Sequence, residues 1–245
     1  MQVVRFVLDL LFPRRCPVCD EPVRHVLIKP KNSHCDEGLI CVPCYAKLSY
    51  LFEPMCMKCG KQLRENEIEY CQDCAERDHL FDRGFALYDY EKIAGAVYRF
   101  KYKGRREYAD FFGMEISKRL GADILRLKPD CLIPVPLHRK RLRVRGYNQA
   151  GELAKVISRT LKIPYDEKLI MRVRATLPLK NLKLKERQNN LKKAFKITGN
   201  DVKLDKVVII DDIYTTGSTI DAMAEELRSI GVSKVYFVAL SIGKA

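Results

Sequence analysis

The chain has 245 residues, more than one average domain and fewer than two large ones, and its 47% hydrophobic and 31% charged residues are ordinary for a globular protein. Its formal net charge of +14 is not ordinary, and it points to polyanionic partners such as nucleic acid or phosphorylated ligands. The leading apolar stretch, Val3 to Phe12, is broken by Arg5 and Asp9, too short to span a bilayer, and followed by no small-residue cleavage site. Val4, Val7, Leu8 and Leu11 fall at helical spacing, so this stretch reads as an amphipathic helix packing on the protein's own body, with a membrane-surface anchor as the lesser alternative. The expectation is a cytoplasmic chain with no stable membrane insertion.

Nine of the ten cysteines lie between Cys16 and Cys74, and Cys131 stands apart. Without an export signal, disulfides are not expected. Eight of the nine form CxxC pairs: Cys16/Cys19, Cys41/Cys44, Cys56/Cys59 and Cys71/Cys74. Two intervening residues let both sulfurs of a pair turn toward one point, and two such pairs complete a tetrahedral four-thiolate site for Zn²⁺. Sequential grouping predicts two structural zinc ions, with Gly60 supplying the tight turn of a knuckle. His34 and Cys35 are left as spare residues. Residues 13 to 76 contain only short apolar runs and need metal to hold them. The module is either a structural knob or a nucleic-acid or partner-binding ribbon, with Arg14, Arg15, Lys58 and Lys61 beside the ligands.

Composition changes near residue 80, which divides the chain into residues 1–80 (N-terminal helix and Cys-rich module) and residues 81–245. In the second part strands and helices alternate, as in an α/β domain with a mostly parallel sheet flanked by helices. Phe85 to Tyr90 reads as a strand, Ala94 to Phe100 and Glu107 to Leu120 as helices, and Cys131 to Val135 as a short strand ended by Pro136. Five basic residues, Arg139, Lys140, Arg141, Arg143 and Arg145, crowd seven positions of the next loop, at the carboxyl end of a strand where such sheets bind ligands. Gln149 to Leu161 and Leu184 to Phe195 follow as helices, the second very basic. Val207 to Ile210 is a fully covered parallel strand, Ile220 to Ile230 an amphipathic helix closed by Gly231, and Val235 to Leu240 the last strand.

After Val207 to Ile210 the chain runs Asp211, Asp212, Ile213, Tyr214, Thr215, Thr216, Gly217, Ser218, Thr219 into a helix. A small-residue loop that feeds a helix N-terminus presents backbone N–H groups and hydroxyls to a phosphate. Two carboxylates alone would repel that phosphate, and they make sense if the ligand also carries hydroxyls. A ribose 5-phosphate has both parts. No GxxxxGK[ST] and no GxGxxG competes with this reading.

The thirteen residues VVIIDDIYTTGST resemble the signature of type I phosphoribosyltransferases for phosphoribosyl pyrophosphate (PRPP). The resemblance implies that Asp211 and Asp212 contact ribose hydroxyls, as the catalytic pair if the protein is an enzyme. It also implies that Thr215 to Thr219 cradle the 5′-phosphate, with Ile213 and Tyr214 in the same PRPP-binding run, and that Mg²⁺ bridges ribose and pyrophosphate oxygens. The loop with Pro136, Arg139, Lys140 and Arg141 would meet pyrophosphate, in that family often through a strained or cis peptide.

Together with LLFPRRCPVC, FKYKGRREYADFFG, VPLHRKRLRVRGYNQ and the pattern Arg172, Arg174, Thr176, Glu186, Arg187, Asn190, Ala194, Phe195, the chain resembles the ComF family of competence-associated proteins over nearly its whole length. That implies a role in DNA uptake during natural transformation, with single-stranded DNA and competence-machinery proteins as partners. Lys180, Lys183, Lys185, Arg187, Lys192 and Lys193 would form a phosphate-tracking surface or, in family members with transferase activity, a loop over the active site. Tyr102 and Tyr147 neighbour the basic stretches and are candidates for base stacking or for core packing. The alternative is an active phosphoribosyltransferase acting on an unidentified acceptor.

Overall fold

The computed structural model describes residues 13–23, 38–174, 194–199 and 203–243. The Val3 to Phe12 helix, His34, Cys35, and residues 184 to 193 of the expected basic helix lie outside these.

Two ribbons of one design open the described chain. In each, the first CxxC pair sits on a knuckle: Asp20 N bonds to Cys16 O at 2.9 Å and Gly60 N to Cys56 O at 2.9 Å. Gly60 has φ +74°, the conformation expected of it, and a Cβ there would lie 2.8 Å from Gly84 O. The second pair opens a short helix, α1 (Val42–Ala46) after Cys41 and α2 (Gln72–Ala75) after Cys71.

Next come β1 (Arg83–Asp89), α3 (Tyr90–Tyr102), α4 (Tyr108–Arg126), β2 (Cys131–Pro134), α5 (Arg139–Arg145), α6 (Gln149–Leu161), β3 (Ile170–Arg172), β4 (Phe195–Ile197), β5 (Lys206–Tyr214), α7 (Ser218–Ser229) and β6 (Lys234–Ile242). The main sheet runs β1-β6-β5-β2, with every pair parallel. Antiparallel β3 and β4 form a separate small sheet. The basic helix read up to Phe195 does not reach that residue, because Phe195 opens β4 and pairs with Arg172.

The central strand explains the layering. Val207 to Ile210 are completely buried, and their side chains divide between two cores. Val208 and Ile210 pack with α3, α4 and α6 through residues such as Phe100, Phe112, Leu153 and Ile157. Val207 and Ile209 pack with Ile220, Met223, Ala224 and Leu227 of α7. A parallel sheet covered on both faces needs this uninterrupted apolar run. Ile230, read as part of the α7 face, follows the helix as its C-cap and is exposed.

The ribbons take opposite faces. The first joins the α3–α4 side, where Cys16, Val23, Leu39 and Ile40 enter the core. Asp20 holds it there through Arg105, whose Nε lies 2.8 Å from Oδ1. The second joins the α7 side, where Cys56, Cys59, Leu63 and Cys71 share a core with Phe81, Val207 and Phe237. Gly84 N bonds to Lys58 O at 2.8 Å and ties it to β1.

Candidate functional site

β5 is longer than its apolar run implies and carries Asp211 to Tyr214 along the sheet edge. The alternation slips across the Asp pair: Ile213 packs with the core of Val208 and Ile210, and Tyr214 with that of Val207 and Ile209. Ile213 and Tyr214 are therefore packing residues. Tyr214 is buried and stacks on Phe237 with ring centroids 4.6 Å apart.

The two carboxylates have different surroundings. Lys101, at the end of α3, places Nζ 2.7 Å from Asp212 Oδ2. Asp211 Oδ1 accepts from Asp212 N at 2.8 Å. Burial, and then the charge of Asp212, push the Asp211 carboxyl well above the usual range.

Thr216, Gly217 and Ser218 are buried, with Thr215 and Thr219 half-buried beside them. Thr216 Oγ1 and Ser218 Oγ lie 3.0 Å apart. Gly217 is the N-cap of α7 with φ +73°. A Cβ there would stand 2.7 Å from His79 Cε1 and 2.8 Å from the Tyr214 hydroxyl. Both the left-handed backbone and the lack of room demand glycine. The loop thus aims the first N–H groups of a twelve-residue helix, plus hydroxyls, at the carboxyl end of the sheet.

A cleft of about 650 Å³ is lined by Pro136, His138, Arg139, Asn148, Arg106 and Arg172 among others, and by no residue of the Asp211–Thr219 stretch. The basic stretch read as a loop is helix α5: His138 Nδ1 caps it by accepting from Lys140 N at 3.3 Å, and Gly146, with φ +83°, ends it. The helical turn divides the cations. Arg139 and Lys140 are exposed, Arg141 is half-buried, and of the three only Arg139 lines the cleft. The only cis peptide among the described residues is Glu53-Pro54, so none occurs in this loop. Burial and the charge of Arg141 push Arg172 down to about 10, while Asp211 acts in the other direction. Arg172 remains a cation at neutral pH, within electrostatic reach of Asp211.

Tyr147 is a core residue, buried with its hydroxyl donated to Phe100 O. Tyr102 is 62% exposed, and its ring lies 5.2 Å from that of Tyr98, itself 54% exposed. The Arg145 guanidinium sits over Tyr102 at 5.1 Å. Lys101, Arg172, Tyr98 and His79 were not among the site residues expected from sequence. No local spacing connects them to the β5 loop.

The cysteines group as two sequential sets, Cys16, Cys19, Cys41, Cys44 and Cys56, Cys59, Cys71, Cys74, with the sulfurs of each set within 4.8 Å of one another. Cys19 and Cys41 sulfurs are 3.8 Å apart, and Cys59 and Cys71 sulfurs 3.6 Å. A tetrahedron with metal–sulfur bonds of about 2.3 Å has edges of about 3.8 Å, so both sets fit zinc and neither is disulfide-bonded. Arg15 and Lys58, candidate nucleic-acid contacts, turn inward: Arg15 donates to Asp20 O at 2.8 Å, and Lys58 lies over the Phe81 ring. Cys131 is buried in β2.

Sheet, loop and thiol clusters together define a type I phosphoribosyltransferase-like fold preceded by a zinc-ribbon module. Family models agree: a double zinc ribbon domain matches residues 7–75, and a phosphoribosyl transferase domain matches residues 143–244. The chain is 30% identical to competence protein F of Haemophilus influenzae, over 83% of this chain and 90% of that protein. It is 28% identical to DNA utilization protein YhgH of Escherichia coli K12, over 80% and 87%, and 28% identical to competence protein ComFC of Bacillus subtilis, over 84% and 82%. The chain belongs to the competence protein F family.

Proposed function

We propose that the protein binds Mg²⁺ and PRPP at the Asp211–Thr219 loop and binds single-stranded DNA on the adjoining basic and aromatic surface, serving DNA uptake in the cytoplasm. The buried Thr216-Gly217-Ser218 turn at the start of α7, beside the Asp211–Asp212 pair, carries this reading. Phosphate suits the loop, and ribose hydroxyls suit the carboxylates. Among the described residues, the two cysteine sets are the only groups of three or more candidate metal ligands that come together. As the phosphoribosyltransferase resemblance implies, Mg²⁺ would bind largely through oxygens of PRPP, with Asp211 and Asp212 as the nearby protein oxygens. The names of the relatives, competence and DNA utilization, support the DNA role. The exposed Tyr98–Tyr102 pair, with Arg145 over the Tyr102 ring, supports contact with unpaired bases. No helix among the described residues is long and apolar enough to cross a membrane.

The phosphoribosyl transferase domain match favours a second reading, an active transferase. The Asp pair would then hold the ribose as the bond to pyrophosphate breaks, with Arg139 and Arg172 on the cleft wall facing the departing charge. Bound Mg²⁺ would neutralise part of that charge.

One set of measurements separates these readings. Calorimetry with Mg·PRPP should show binding by the wild type, weakened on the order of 1–3 kcal/mol in Asp211→Asn/Asp212→Asn, because hydrogen bonds to charged groups disappear. Unchanged affinity would remove the site assignment. Pyrophosphate release, followed with and without nucleobases and single-stranded DNA, should appear only if the chain is a transferase.

A further inference from the structure

We infer that His79 is a positioning residue for the phosphate loop, setting the Gly217 turn and holding the Asp221 carboxylate in the first turn of α7. This rests on reading residues 215–219 as a phosphate site. His79 lies between the second ribbon and β1, and its side chain is only 2% exposed. Its Nδ1 is 2.8 Å from Asp221 Oδ2, and the next residue donates Leu80 N to Asp221 Oδ1 at 2.9 Å. One short segment thus engages both oxygens of a carboxylate in the first turn of α7.

The electrostatics explain why that matters. An acidic group in a first turn favours the helix, but it competes with any anion held at the same N-terminus. With both oxygens engaged by the His79–Leu80 segment, the Asp221 carboxylate is fixed in place and part of its charge is offset. The ring also supports the turn directly. A Cβ on Gly217 would fall 2.7 Å from His79 Cε1 and 2.9 Å from Nδ1, so ring and loop backbone are in contact. His79 is in turn stacked on Phe81 at 4.7 Å, and Phe81 meets Tyr214 and Phe237 edge-on. The last apolar layer of the sheet therefore fixes the ring.

Simple space-filling does not account for histidine here. Its Nε2 is buried with no hydrogen-bond partner among the described residues, as is the Tyr214 hydroxyl beside the same turn. A buried unpartnered polar atom is destabilising, and phenylalanine would fill the space without one. The retained function is the Nδ1–Asp221 bond.

Two substitutions in the full-length, zinc-loaded protein test this. His79→Phe keeps the stacking and loses the bond; His79→Asn returns an amide N–H near the Nδ1 position. Titration with Mg·PRPP should show about tenfold or more weaker binding by His79→Phe, with zinc content and Tm close to wild type. His79→Asn should recover part of the affinity, since the bond to Asp221 returns while the ring contact with the turn stays lost. Equal binding by wild type and His79→Phe would overturn the inference. So would loss of affinity accompanied by loss of zinc or a large fall in Tm, since that marks a purely structural role. A readout without ligand gives an independent decision: amide hydrogen exchange over Thr215 to Asp221 should quicken in His79→Phe and return in part in His79→Asn. Unaltered exchange would overturn the positioning role. Wild-type protein that fails to bind Mg·PRPP would remove the ligand reading, and the exchange result would still decide the role of His79.

Discussion

Asp211 shows the cost of burying one of two adjacent carboxylates at the carboxyl end of β5. Half-buried next to a second carboxylate, it holds its proton more tightly in the folded chain than in the unfolded one. A carboxyl with a raised folded-state pKa contributes stability that is fully present below its unfolded value, about 3.9, and is lost as pH rises through the folded value. Well above the unfolded value, burial of Asp211 therefore destabilises the ligand-free fold. Asp212 differs in having Lys101 at 2.7 Å. In thermal melts of zinc-loaded, ligand-free protein, Asp211→Asn should melt above wild type at pH 8, and the gap should narrow as pH falls. A variant that melts lower at pH 8, or a gap that ignores pH, would contradict this assignment of the strain. The same substitution should weaken PRPP binding, an exchange of stability for function common at binding sites.

The elements were legible in sequence wherever local pattern decides them. α6 begins and ends where its amphipathic spacing says, and Val207 to Ile210 is the covered strand that four β-branched residues describe. The pairing of cysteines was legible too, because CxxC spacing is itself a geometry. Other features depend on distant partners. β5 continues through Asp211 to Tyr214 because β6 pairs with it, although turn-like residues follow the apolar run. Arg139 to Arg145 is a capped helix, which its charge density concealed. Lys101 reaches Asp212 only because α3 ends over that sheet edge, and His79 reaches Asp221 only because the second ribbon docks on the α7 side. This docking changes what zinc removal should do. Cys56, Cys59 and Cys71 share a core with Val207 and Phe237, so the second ribbon is part of the sheet's own packing. Elemental analysis should find two zinc ions per chain. Chelation, which removes metal-binding energy on the order of 10 kcal/mol per site, should lower the melting of the whole chain in one transition. A sheet that melts unchanged after complete loss of zinc would show the ribbon to be an independent appendage.

Across the whole molecule, charge and aromatic exposure combine on one side of the candidate site. The formal net charge is +14, and α5 presents exposed Arg139, Lys140 and Arg143 next to Arg145, whose guanidinium covers Tyr102. Arg145 thus connects the basic helix to the Tyr98–Tyr102 face of α3, and Lys101 on that helix reaches the Asp pair. Phosphates and bases should therefore be held by separable groups. Single-stranded DNA should bind without sequence preference, and contact with about four to six phosphates gives a log–log salt slope of roughly −3 to −4. Arg139→Gln/Lys140→Gln/Arg143→Gln should flatten that slope. Tyr98→Ala/Tyr102→Ala should instead weaken binding by about 1–3 kcal/mol per stacked base and leave the slope alone, because stacking releases no counterions. Fluorescence anisotropy over a salt series on the three proteins checks both effects. Wild type that fails to bind at low salt would remove the DNA role and leave the transferase reading in front. Binding that ignores the two tyrosines would confine DNA contact to the phosphate backbone.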